Sequence, residues 1–409
     1  MMNMLPINKS NPPSVSSQNL EAKMTPLLKK EIEHEYMSDS GLLQLPSPVP
    51  EAELFKERNL SILMKNFAKL FKCVVESDTS ALTPTRRRAA RYPAAYALTK
   101  VGSNVRAGCI QFLKQGDEHP DWLLDYADHK FNPVITVMLH AMKRWASAVV
   151  LVPNDMVFEL IDDRDKTAMA AINRLLAFIR RVGKSRKYKN AWHDYTRQAN
   201  SNFRSGSRFI SKLFSHHTRL LVLRVDLYLR PGTYSPGFEN EADAYAAKLL
   251  RKLRDGGIVP GYLGAISKRE NGVYRGMHWH WMVFLDAHCH QHTSYYSQAI
   301  GEAWVELVGN NQASYFNCYS RQHEYAFNGL GEVNIDDIEK LLGVRAALHY
   351  ITKRDCVLQV SGRKQQDFRR SKPRPRTKRG APRKGPNDLQ HVQRALGGAR
   401  SRSPAWLKR

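Results

Sequence analysis

Apolar positions along this chain repeat first at a helical period and then at a strand period. From Phe55 to Val75, the residues Leu60, Leu63, Phe67, Leu70 and Phe71 recur at helical spacing, and a second helix is predicted from Ala168 to Val182. Residues 51–199 therefore read as a mostly helical region. Its most apolar stretch, Val134 to Val152, is broken by His140, Lys143 and Arg144, so it predicts a buried amphipathic helix and a following strand, not a membrane span. Beyond residue 200 the pattern changes. Leu220 to Leu229 reads as a strand ending at Pro231-Gly232. Ala242 to Asp255 reads as a helix with Tyr245, Ala246, Leu249 and Leu253 on one face, stopped by Gly256-Gly257. Val259 to Glu270 and Gly276 to Asp286 read as strands, Thr293 to Val308 as a helix and Ser314 to Cys318 as a short strand. Asn334 to Arg354 is predicted as a last helix with Asn334 as its N-cap. This order predicts an α+β domain over residues 200–360, an antiparallel sheet with helices packed on it. Residues 1–50, rich in Pro, Ser, Asn and Met, hold no sustained period and read as a disordered tail. Residues 361–409, punctuated by Pro373, Pro375, Gly380, Pro382 and Pro386, read as a second disordered tail.

Charge adds a partner to this picture. The 409 residues carry a formal net charge of +25, which points to a polyanion and, among polyanions, to nucleic acid. The C-terminal tail alone has 16 Lys and Arg against Asp367 and Asp388, more than half of that excess. Such a segment binds phosphates through counterion release without reading sequence. Arg86, Arg87 and Arg88, and Lys372, Arg374, Arg376, Lys378 and Arg379 in the tail, are the candidate DNA-binding residues. Five cysteines, odd in number and without a CxxC pair, argue against a disulfide framework and for a reducing cytoplasm. The N-terminus lacks the apolar core of a signal peptide.

Candidate chemistry is concentrated in the second half. His278 and His280 alternate with Trp279 and Trp281 in a strand, so both imidazoles project from one face and form half of a metal site. The two tryptophans fall on the other face and read as core. Two histidines and a carboxylate leave open positions on a divalent ion, which can grip a scissile phosphate as a Lewis acid. Glu270 is the candidate carboxylate and Asp226 the alternative. Asn271-Gly272 has the composition of a two-residue hairpin turn, which would pair Glu270 with Val273 and hold it away from His278. A wider loop from Asn271 to Gly276 would bring Glu270 beside Met277. On the last helix, Tyr350 and Lys353 lie one turn apart. A phenol needs help to attack phosphorus, and a nearby lysine can supply it by neutralising the crowded transition state. Two other motifs carry less. His288-Cys289-His290-Gln291-His292 reads as a loop without a fourth zinc ligand at standard spacing. Gly183-Lys184-Ser185 has the ending of a phosphate-binding loop, but Phe178 stands where its first glycine belongs, so the motif gives no sign of a fused helicase.

Together these residues resemble the HUH endonuclease superfamily of rolling-circle initiators and relaxases. More narrowly, the region is similar to the inovirus-type (filamentous-phage) replication protein family with the YagK/YfjJ C-terminal domain. The resemblance rests on Leu221-Val222-Leu223-Arg224-Val225-Asp226, Glu270, His278-Trp279-His280, Trp304 and Tyr350-Ile351-Thr352-Lys353, and spans about 150 residues. It implies that His278 and His280, with Glu270, bind Mg2+ or Mn2+ and that Tyr350 is the nucleophile. It also implies nicking and joining of single-stranded or supercoiled origin DNA through a 5′-phosphotyrosyl intermediate. The setting it implies is a bacterial cytoplasm, a phage, plasmid or integrated prophage element, a host helicase and replication machinery as partners, and no membrane. Two other functions share these residues: a relaxase- or transposase-like strand transferase, and a non-catalytic nucleic-acid-binding regulator on the same fold.

Overall fold

The computed structural model describes residues 51–85, 95–118, 129–153, 158–159, 163–230, 238–272, 276–325, 327–352, 358–360, 367–372 and 387–397. The N-terminal tail and most of the C-terminal one fall outside these, as do Arg86, Arg87, Arg88, Lys353, Arg374, Arg376, Lys378 and Arg379. In the first half, α1 (Glu51–Glu76), β1 (Leu82–Pro84), β2 (Ala95–Leu98), α2 (Lys100–Glu118), β3 (His129–Phe131), α3 (Pro133–Val149), β4 (Phe158–Glu159) and α4 (Asp163–Lys184) follow in order. The four helices enclose an apolar core in which Phe67, Phe71, Met138, Met142, Ile172 and Leu175 are fully buried. Asn132 caps α3 by accepting from Ile135 N–H at 2.9 Å. The strand expected after this helix does not form. Instead, Leu151 and Val152 donate to Ala148 and Val149, three residues back, and close the helix with a tight turn. Gly183-Lys184-Ser185 is a helix junction. A side chain at Gly183 would run into Val75 and Phe71, and Ser185 accepts from Tyr188 N–H to cap the next helix.

That helix, α5 (Arg186–Phe214), is 29 residues long and passes without a break through residue 200. Tyr188 near its start joins the helical core, whereas Phe203, Phe209, Ile210, Leu213 and Phe214 near its end join the core of the sheet. After it come β5 (Arg219–Leu229), α6 (Phe238–Arg254), β6 (Tyr262–Gly272), β7 (Gly276–Asp286), α7 (Thr293–Val308) and β8 (Ala313–Asn317). The chain continues through β9 (Gly331–Asn334), α8 (Ile338–Thr352), β10 (Leu358–Val360), β11 (Phe368–Arg370) and α9 (Asn387–Gly397). The class is α+β, as expected. Six strands form an antiparallel sheet in the order β11-β6-β7-β5-β8, with β9 sharing the β5 edge, and β10 pairs with β3 instead. α6 ends where the two glycines predicted, with Gly256 at φ +79°.

The sheet is covered on both faces. Leu221, Leu223, Val225 and Leu227 of β5 and Trp279, Trp281 and Val283 of β7 pack against α6 and α7. Leu220, Val222, Met282 and Phe284 face the opposite way, toward α5, α8 and α9. α8 is seated closely: the backbones of Gly343 and Gly329 touch, and a methyl group at either would collide with the other strand of chain. Asn334 is not the cap of this helix. It ends β9 opposite Arg219, and Asp337 caps α8, accepting at Oδ1 from Lys340 N–H at 2.9 Å. No helix among the described residues is long and apolar enough to cross a membrane.

Candidate metal centre and its tyrosine

One face of the sheet changes character along its length. On β5 the side chains of this face run Leu220, Val222, Arg224, Asp226, Tyr228, and on β7 they run Phe284, Met282, His280, His278. On β6 they run Ile266, Lys268, Glu270. Pairing places these in cross-strand rows: Arg224, Met282 and Ile266; then Asp226, His280 and Lys268; then Tyr228, His278 and Glu270. The apolar end of the face makes core, and the polar end makes a site.

The register decides this placement. Glu270 stands opposite His278, and pairing continues to Gly272 opposite Gly276, so Asn271-Gly272 is not a two-residue turn. A turn there would shift the pairing by an odd number of residues. Lys268 and Glu270 would then share a face with Trp279 and Trp281 and put two charges into the apolar core. The observed pairing buries Ile266 against Met282 instead.

Glu270, His278 and His280 form a group able to hold a metal ion, with one ligand atom of each within 4.8 Å of the others. Glu270 Oε2 lies 3.6 Å from His278 Nε2 and 3.4 Å from His280 Nε2. Donors about 2.1 Å from one octahedral ion are about 3.0 Å apart, so each carboxylate-to-imidazole distance is within about 0.6 Å of that spacing. Two imidazoles and a carboxylate on one side leave the remaining positions of an ion open, so the donor set fits. Asp226, the alternative ligand, sits behind His280: its Oδ1 is 2.8 Å from Nδ1, an ion-pair contact rather than an aligned hydrogen bond. A carboxylate there fixes the ring so that Nε2 faces Glu270, the usual outer support of a metal-binding histidine.

Two buried cations flank these carboxylates. Lys268 Nζ contacts Glu270 Oε1, leaving Oε2 to the imidazoles. Arg224 Nη2 is 3.8 Å from Asp226 Oδ2. Burial favours the neutral carboxyl of Glu270, but Lys268 and then His280 outweigh it and hold its pKa well below the usual range. Asp226 is held at about 2, where His280, Arg224 and His278 overcome the effect of burial. His280 is raised: burial favours the neutral ring, and Asp226 and Glu270 more than reverse that.

Tyr350, on α8, is half-buried beside this group. Its ring meets the His280 ring edge to face at 5.4 Å between centroids, and the Arg224 guanidinium lies 4.2 Å from its centre. The ring of Tyr228 stacks on His278 at 5.5 Å. Thus the structure brings together Glu270, His278, His280 and Tyr350, with Asp226 in support, while Lys353 lies outside the described residues. Sequence reasoning missed Lys268. Its signal was available, because Lys268 and Glu270 alternate on one face just as His278 and His280 do. Trp279 and Trp281 are buried, and Trp304 donates from Nε1 to the Tyr228 carbonyl at 3.1 Å. The His288–His292 loop does not converge on one point: His288 Nε2 is 3.0 Å from Thr218 Oγ1, and His290 Nδ1 is 3.3 Å from Tyr296 Oη. Lys372 is exposed just after β11.

Comparison with models of known protein families, with curated proteins and with solved structures finds no match to this chain.

Proposed function

We propose that the protein is a metal-dependent, HUH-type enzyme that nicks and rejoins single-stranded DNA, with Tyr350 as nucleophile, and so initiates rolling-circle replication of a phage, plasmid or integrated element. The observation that carries the reading is Tyr350 packed against His280, one of three residues able to hold a metal ion. A structural metal site needs no phenol beside it, whereas metal-assisted transfer of a phosphoryl group to tyrosine uses both.

Glu270, His278 and His280 would hold the ion, and Mn2+ suits two imidazoles better than Mg2+, which favours oxygen donors alone. When bound there, the cation would supply Lewis-acid polarisation of a phosphate oxygen. In the nicking step, Tyr350 Oη forms a bond to phosphorus and the bond from phosphorus to the 3′ oxygen breaks. The phenolic proton passes to solvent, and the departing oxygen takes up a proton to become a 3′ hydroxyl. Attack by a 3′ hydroxyl on the phosphotyrosine reverses the sequence and joins the strand. Arg224 holds the face of the phenol and keeps a positive charge beside it as the phosphate approaches. Lys268 and Arg224 offset the charges of Glu270 and Asp226, so a dication leaves the pocket with a net positive charge matched to a phosphodiester. Lys353 is the lysine that would neutralise the transition state, and the basic tail would add non-specific grip.

Peptide mapping tests the assignment. After incubation with Mn2+ and single-stranded DNA from the encoding locus, followed by nuclease digestion, the nucleotide remnant should lie on the peptide containing Tyr350. A remnant on another tyrosine, or free 5′ phosphates with no linkage, would refute it.

A further inference from the structure

The exposed face of α5 carries a row of cations that the fold does not use. At 100° per residue, Arg186, Arg197, Arg204 and Arg208 fall within a sector of about 40°, and Lys212 lies one turn beyond. All five are exposed, and the row spans about 39 Å. Among the described residues, no carboxylate pairs with any of them. Arg204 and Arg208 use Nε to reach carbonyls of their own helix, at 3.2 and 3.3 Å. The helix buries its other side, including Tyr188, Phe203, Ile210 and Leu213, so packing does not call for these charges. Like charges four residues apart, as at 204, 208 and 212, work against the helix by a few tenths of a kcal/mol each, on the order of 0.2–0.5.

The row passes beside the sheet that carries the candidate site. Arg370 of β11 donates from Nε to Ser205 Oγ on α5 at 2.8 Å, beside Arg204 and Arg208, and exposed Lys372 follows. β11 pairs with β6, and Arg370 stands opposite Ile266. Glu270 is four residues further along β6, about 13 Å at strand spacing.

We propose that this row is a track for the sugar–phosphate backbone of single-stranded DNA flanking the processed phosphodiester. Its charge calls for a repeated anion, and the Arg370–Ser205 contact sets the row alongside the strands that lead to Glu270, so the same anion can pass the metal centre. A duplex backbone winds away from a straight helix after a few phosphates, whereas a single strand can follow it. The choice of DNA as occupant rests on the phosphodiester chemistry proposed above for the centre.

The test uses the full chain carrying Tyr350→Phe, so that binding is read without cleavage. Anisotropy of a labelled single-stranded DNA long enough to span α5 is measured over a salt series. Replacing Arg186, Arg197, Arg204 and Arg208 together by glutamine should make the slope of log K against log salt shallower by about 2.8. It should also weaken binding about tenfold or more near physiological salt. Replacing the same four by lysine should leave the slope unchanged, which separates charge from folding. An unchanged slope in the glutamine variant would overturn the proposal. So would an equal loss of slope in the lysine variant, or a loss of binding to anionic lipid vesicles without a loss for DNA. The nicking assignment is read separately, as covalent linkage to Tyr350 on a short oligonucleotide that spans only the cleaved position. Failure of one therefore does not mimic failure of the other.

Discussion

Replacing Lys268 by methionine removes a buried charge while keeping most of the side-chain volume. Lys268 is 7% exposed and its Nζ contacts Glu270 Oε1. Of the groups that oppose the effect of burial on Glu270, Lys268 is the strongest, followed by His280. Removing one side of a buried pair costs about 3–5 kcal/mol. His280 covers part of the Glu270 charge, so the expected loss in the metal-free protein is about 2–4 kcal/mol. At about 2–4 °C per kcal/mol for a folding unit of this size, the melting temperature in EDTA should fall by about 4–16 °C. A divalent cation bound at Glu270 replaces the missing charge, so saturating Mn2+ should close more than half of the gap. Scanning calorimetry of both proteins, with EDTA and with Mn2+, gives the four melting temperatures required. If the metal-free variant melts within about 2 °C of the parent, Lys268 does not neutralise Glu270. If Mn2+ raises both proteins equally, the metal does not occupy the site where Lys268 acts.

Three further outcomes are expected. Gly343→Ala forces a methyl group into the backbone of Asn328 and Gly329, so its urea midpoint should report a loss of about 1–3 kcal/mol or more; an unchanged midpoint would mean that α8 is not seated there. Arg224→Met removes a buried cation from the Tyr350 ring, worth about 2 kcal/mol, so covalent adduct formation should slow by about thirtyfold while Mn2+ affinity stays within about threefold. A matching loss of metal affinity would contradict that separation. His280 has a raised pKa, so in the metal-free protein it contributes stability that is complete below its ordinary value of 6.5 and lost as pH rises through the folded one. Asp226 acts in the opposite sense, contributing above 3.8 and losing that contribution as pH falls toward about 2. Mn2+ must displace the His280 proton, so its affinity should climb with pH below the folded pKa and level off above it. Calorimetric titration in buffers of different ionisation enthalpy should detect the released proton, and heats independent of the buffer would refute it.

The long elements were legible because their patterns are strong. β7 and α7 begin and end where alternation and helical spacing start and stop. What escaped was either short or dependent on a distant partner. β9, β10 and β11 have three or four residues each, too few to show a period, and they form because Arg219–Val222, His129–Phe131 and Ile266–Lys268 offer open edges. Asn334 has the chemistry of an N-cap, but β5 draws it into a strand and leaves capping to Asp337. The group able to hold a metal ion, Glu270, His278 and His280, was legible in its members. The choice between Glu270 and Asp226 was not, because it turns on the hairpin register. Local turn composition favoured Asn271-Gly272, whereas keeping Lys268 and Glu270 off the tryptophan face requires the longer connection. Lys268 itself passed unnoticed because a lysine in a strand reads as a solvated side chain until the face it shares with Glu270 is known to be covered.

A denaturing gel shows whether Tyr350 becomes linked to DNA in a metal-dependent step. The parent protein and Tyr350→Phe are each incubated with end-labelled single-stranded DNA from the encoding locus, in Mn2+ or in EDTA. The expected result is a denaturation-resistant protein–DNA adduct for the parent in Mn2+ alone. Retarded but unlinked DNA in all four reactions, or an adduct that survives Tyr350→Phe, would contradict the account.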